Sequence, residues 1–152
     1  MIRKLSMAGM AVALIALLAV PASATAPPVQ LSAKLKGANE VPGPGDPNGK
    51  GEIFMTVNKK RHKICFALTF KKIQDPVAGH IHRGAADVAG PVKVELFSDP
   101  AGLPGPSAEG CVKNLKRRFL RRLSNHADRF YVNLHNGDYP DGAIRGQLVE
   151  AL

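Results

Sequence analysis

FYVNLHNGDYPDGAIRGQLV, residues 130–149, is the stretch that decides the fold. Two runs suited to strands, residues 130–135 and 143–149, flank NGDYPDG, whose Asn, Gly, Asp and Pro are the residues that turns require. The segment therefore reads as an antiparallel hairpin. Centred on Tyr139, the hairpin sets Asn133 opposite Arg145 and Tyr131 opposite Gln147. Side chains alternate faces along a strand, so Tyr131, Asn133, His135, Arg145 and Gln147 are expected on one polar face.

The same period of two runs outward from this hairpin. Val29, Leu31, Ala33 and Leu35 alternate with Gln30, Ser32, Lys34 and Lys36, the pattern of a half-buried strand. Further strands are expected at residues 52–57, 64–70, 77–82 and 92–97; in the second of these, Ile64, Phe66, Leu68 and Phe70 share a face. GANEVPGPGDPNGKG and SDPAGLPGPSAEG read as loops by their glycine and proline content, and NKKRH as a polar turn. One segment departs from the pattern. In NLKRRFLRRLSNHADR, Leu115, Phe119 and Leu123 recur every four residues, which predicts a helix of two to three turns. The expectation is an all-β chain of seven or more short antiparallel strands with one short helix, folded as a sandwich or barrel.

Residues 1–24 read as a secretory signal peptide. Arg3 and Lys4 precede an apolar run at residues 7–20, and Ala22, Ser23 and Ala24 form a small-residue cleavage site. That run is 14 residues, short of the ~18 usually needed to span a bilayer; a retained anchor is the competing reading. Cleavage leaves a single domain, residues 25–152, with no transmembrane span, in a secreted or periplasmic location. Two cysteines in an exported chain, Cys65 and Cys111, argue for a disulfide. A thiolate ligand or nucleophile is the alternative, without a C-x-x-C pattern behind it.

The formal net charge is +9, and Arg3 and Lys4 account for two of it, leaving +7 for the mature chain. Such a balance favours anionic partners. Lys113, Lys116, Arg117, Arg118, Arg121 and Arg122 crowd the expected helix, with Lys116 and the four arginines as the candidate anionic-surface contacts. The alternative is the solvated face of a docked helix. No nucleic-acid motif is present, so specific nucleic-acid binding is not expected.

AGHIHRG, residues 78–84, carries the chemistry. In a strand His80 and His82 point to one side and Ile81 to the other. With His135 they would suit copper or zinc and leave a coordination position open. Affinity would then fall below about pH 6, as rings near the reference pKa of ~6.5 protonate. The competing reading is a hydrogen-bonded polar layer. His62 and His126 read as solvated. Asn39 and Glu40, with the D-x-N-G of Asp46 to Gly49, offer only a fragment of a calcium loop, and a turn explains them. No Ser/His/Asp arrangement or phosphate-binding glycine loop is recognisable.

LKGANEVPG, GHIHRGAADVAGPVKVELF and RFYVNLHNGDYPDGAIRGQL, in this order, resemble the CHRD domain family over residues 31–148. The resemblance implies an immunoglobulin-like or related β-sandwich outside the cytoplasm and a cysteine pair at Cys65 and Cys111. It implies no established activity. GHIH is in addition similar to the Gly-x-His-x-His strand of copper/zinc superoxide dismutases, themselves β-sandwiches, and VNLH with DGAIRGQL is loosely similar to their later motifs. That likeness implies His80, His82 and His135 as ligands and Arg145 as an arginine that attracts an anion, the one catalytic candidate. RGAADVA supplies no bridging histidine and no zinc loop follows, so a two-metal site is not encoded. The functional expectation is an exported, non-catalytic binding or structural module whose partner is an anionic surface or another extracytoplasmic protein. The alternative is a copper- or zinc-binding protein with superoxide-dismutase-like redox activity.

Overall fold

Alternating apolar and polar residues build nine strands into one antiparallel sheet, in a computed structural model that describes residues 27–151. The expected leader, residues 1–24, lies outside them. The strands are β1 Val29–Lys36, β2 Lys50–Asn58, β3 Lys63–Lys71, β4 Ala78–Arg83, β5 Val92–Ser98, β6 Ser107–Val112, β7 Phe130–His135, β8 Ile144–Gln147 and β9 Val149–Glu150. Helix α1, Arg117–Asn125, lies between β6 and β7. The sheet runs β5-β4-β7-β8-β1-β2-β3-β6, with β9 also beside β1, and its end strands β5 and β6 touch, so it nearly closes on itself. This is the all-β sandwich-or-barrel class with one short helix. Among the described residues no helix is long and apolar enough to cross a membrane.

The core follows from strand periodicity. Leu31 and Leu35 of β1, Ile53 and Val57 of β2 and Ile64 and Leu68 of β3 all point into one cluster. Each such buried aliphatic side chain contributes about 1.5–3 kcal/mol of hydrophobic stabilisation. From the other half of the sheet, Ile81, Val132, Leu134 and Ile144 meet them. The opposite faces of β4, β7 and β8 are therefore left free to carry polar side chains.

Three expectations are corrected. Residues 98–110 are not wholly loop, since β6 begins at Ser107 and pairs with β3. Its sequence SAEGCV alternates between exposed and half-buried positions without a hydrophobic face, so periodicity had nothing to detect. Residues 143–149 divide into two strands, β8 and β9, interrupted at the fully buried Leu148, whose N–H still bonds Phe130 O in the β7–β8 register while Val149 and Glu150 pair with β1 alone. In α1 the buried residues are Leu120 and Leu123, while Leu115 precedes the helix and Phe119 is half-buried against the edge of Phe130, ring centroids 5.9 Å apart.

Cys65 and Cys111 are bonded to each other, directly opposite in the β3–β6 ladder. The bond staples an edge strand that buries little of its own. Replacing both cysteines by Ala is expected to lower unfolding stability by about 2–4 kcal/mol, the usual range for a loop of this size. Urea unfolding checks it, and an unchanged midpoint would mean that the ladder alone holds β6.

Candidate metal centre

The hairpin register places the candidate residues. β7 pairs with β8 through Asn133↔Arg145 and Tyr131↔Gln147, and with β4 through Asn133↔His80, Tyr131↔His82 and His135↔Ala78. His80, His82, Tyr131, Asn133, His135, Arg145 and Gln147 thus share the sheet face turned away from the core. His135 is the diagonal neighbour of His80, a spacing that rings can bridge. Ring centroids lie 5.6 Å apart for His80 and His82, 4.9 Å for His80 and His135, and 6.5 Å for His82 and His135. One ring nitrogen from each falls within 4.8 Å of the others.

Backbone carbonyls set the protonation of two rings. His82 Nδ1 lies 2.7 Å from Gly90 O and His135 Nδ1 lies 2.8 Å from Pro140 O. A carbonyl only accepts, so both Nδ1 atoms carry the hydrogen and both Nε2 atoms keep their lone pair. Holding one ring nitrogen in this way is how metal-ligating imidazoles are oriented. His80 Nδ1 then donates to His135 Nε2 at 3.0 Å. His82 Nε2 is buried and has no hydrogen-bond partner, a deficit that costs about 1–3 kcal/mol for an ordinary polar group.

The face is covered although it lies outside the core. Arg145 is 1% exposed, Tyr131 3%, Asn133 3% and His82 8%. The cover is the β4–β5 loop, residues 84–91. Arg145 Nη2 donates to Ala85 O at 2.8 Å and Val88 O at 3.0 Å, Gln147 Nε2 to Gly84 O at 2.9 Å, and Gly90 N–H to the Tyr131 hydroxyl at 3.0 Å. Gly90 is required there, since a Cβ would sit 1.8 Å from Arg83 O. The Arg145 guanidinium carbon also lies 3.4 Å from the Tyr131 ring centroid, and His82 stacks on the same ring at 4.8 Å. A second segment, residues 37–46, closes the other side: Asn39 Nδ2 donates to Arg145 O at 3.0 Å. Glu40, 7% exposed, meets Gly142, where any Cβ would press on its carboxylate.

Burial pushes His80 down to about 4, helped by the charges of His135 and His82. His82 is also lowered, chiefly by burial and against the pull of its Gly90 bond. Both shifts favour the neutral ring that a ligand must present, and at His80 proton competition begins well below the pH 6 expected from sequence. Burial raises the Glu40 carboxyl to about 7, against the lowering pull of Arg145 and of bonds from Asn133 and the Val41 backbone.

Other candidates fall elsewhere. Asp46 Oδ1 accepts from the N–H groups of Asn48 and Gly49, an Asx turn, and no calcium cluster joins it to Asn39 and Glu40 among the described residues. His62 and His126 are exposed. Lys116, Arg117, Arg118, Arg121 and Arg122 are all exposed on or beside α1. Sequence reading missed Glu40 as a neighbour of Arg145, and missed the Gly90 and Pro140 carbonyls, whose role no side-chain pattern announces.

A nearly closed β-sheet thus carries a covered polar layer with a histidine cluster. The model of the CHRD domain matches residues 31–148, and the chain belongs to this family. No curated protein and no solved structure gives a significant match.

Proposed function

We propose that this CHRD-family chain is an exported, non-catalytic binding module that holds one Cu(II) or Zn(II) ion through His80, His82 and His135. The observation that carries the reading is the three-histidine cluster itself, one ring nitrogen from each within 4.8 Å of the others, with the Nε2 of His82 buried and without a hydrogen-bond partner. Three nitrogen donors suit either metal and leave a position for water or a further ligand. Export is supported by the leader-like residues 1–24 and by the disulfide, a bond that persists in oxidising compartments. The proposal assigns binding to the site and no turnover.

Calorimetric titration of the metal-stripped, tag-free mature chain tests it. One ion per chain, bound tighter than about 1 μM, or roughly −8 kcal/mol, is the expected result. Binding no tighter than millimolar for both metals would leave the histidines as a polar layer.

A further inference from the structure

Beside α1 the molecule has a second concave site, lined by none of the three histidines, that the metal reading does not use. A cavity of about 540 Å³ lies between α1 and the ends of β4, β5 and β7. Five cations line it: Arg83, Lys93, Lys116, Arg118 and Arg122. Leu115, Phe119 and Phe130 give it apolar walls, and no acidic residue lines it. An adjoining depression shares Arg83 and Lys93 and adds Arg129, again without an acid.

The charges work against the element that carries them. α1 has no acidic residue in its first turn and no side-chain cap, and Lys116, Arg117 and Arg118 stand at its positive end. Cations there are unfavourable to the helix dipole, and Arg118 with Arg122, four apart, repel one another. A bound anion would relieve both effects. Guanidinium forks suit oxyanions that accept two bonds at once, and the volume falls within the roughly 300–1,000 Å³ of small-molecule sites.

We infer that this cavity binds a phosphate-type oxyanion carried on an apolar stem, the cations holding the oxyanion and Leu115, Phe119 and Phe130 the stem. The site resolves the helix charges into two rows. Arg118 and Arg122 line the cavity, while Arg117 and Arg121, of the same charge and likewise exposed, do not.

That contrast supplies the test. Monomeric dihexanoyl phosphatidic acid and inorganic phosphate are titrated into the mature chain, and sedimentation with phosphatidylglycerol/phosphatidylcholine vesicles is measured beside them. The phosphatidic acid is expected to bind at least about tenfold tighter than inorganic phosphate, because buried methylenes add to the charge contacts. Arg118→Glu with Arg122→Glu is expected to weaken it at least about tenfold, as charge-assisted bonds are lost. Arg117→Glu with Arg121→Glu should stay within about threefold, the residue of long-range screened charge. Lys93→Glu, an exposed strand position remote from α1 in sequence, should follow the first pair and guards against helix unfolding. Vesicle binding with the same variant pattern makes the source a lipid headgroup; monomer binding alone makes it a soluble phosphate ester. Equal losses in the two double variants, or no binding of the monomer, would overturn the inference and leave net charge as the only attraction.

Discussion

His82→Gln is expected to weaken Cu(II) and Zn(II) binding by at least about a hundredfold, beyond the roughly 10–100-fold that follows loss of an outer partner of a metal site. The reason is local. His82 Nε2 is the buried ring nitrogen without a protein partner, and its ring is held between the Gly90 carbonyl and the face of Tyr131. Gln can still donate to Gly90 O but offers an amide in place of an imidazole. His62→Gln is the control, since His62 is exposed and its ring bonds the Leu115 carbonyl, away from the cluster. If the three histidines are a polar layer, His82→Gln shifts the melting temperature equally with and without metal. If they are ligands, the metal raises the melting temperature of the wild type and of His62→Gln far more than that of His82→Gln, because an ion that binds only the native state stabilises it by mass action.

Much of this site was legible because a hairpin is a two-body problem. Once NGDYPDG was read as the turn, its centre at Tyr139 fixed Asn133↔Arg145 and Tyr131↔Gln147, the register found. GHIH needed only strand alternation to put both rings on one side. What periodicity does not encode is how a loop returns. Residues 84–91 contain no pattern that foretells Gly90 O beneath His82 or Ala85 O beside Arg145. Glu40 was likewise grouped with its sequence neighbour Asn39 and with Asp46, whereas the fold sets it beside Arg145, 105 positions away in the numbering. β6 escaped for a different reason: it is held by a ladder and a disulfide rather than by a buried face. In α1 the sequence displayed a crowd of cations around an apolar stripe, and only the fold, which buries Leu120 and Leu123, separates Arg118 and Arg122, which line the cavity, from Arg117 and Arg121, which do not.

Arg145 ties these parts together, and its removal has the second large expected effect. The dismutase-like reading made it an arginine that attracts an anion. At 1% exposure, with Nη2 on two loop carbonyls and its guanidinium over Tyr131, it is placed to hold residues 84–91 on the sheet. Arg145→Ala is expected to cost about 3–5 kcal/mol of stability, the range for a buried charged group whose partners are left behind, measured by urea unfolding at pH 7. A loop-anchoring role has a second signature. Gly90 O orients His82, so metal affinity should fall as well, by about 10–100-fold as for other outer partners, although Arg145 is not itself a ligand. The third signature is at Glu40. Its carboxyl is raised by burial to about 7 and pulled back by Arg145, so the variant should titrate higher, which carboxyl NMR reads directly. The linkage has an unusual sign. The native carboxyl keeps its proton up to about 7 while the unfolded one releases it near 4.5, so Glu40's contribution is fully present below 4.5 and lost as pH rises through 7. His80 acts oppositely: unfolded, it takes a proton near 6.5, but folded only near 4, so its contribution is present above 6.5 and lost as pH falls towards 4. The two offset one another between about 4.5 and 6.5, giving the wild type a flatter acid limb than either group alone would. Removing Arg145 extends the Glu40 window upward and should tilt stability against rising pH above 7. Arg145→Ala with an unmoved Glu40 titration and unchanged metal affinity would reduce the residue to a filler of space beneath the loop.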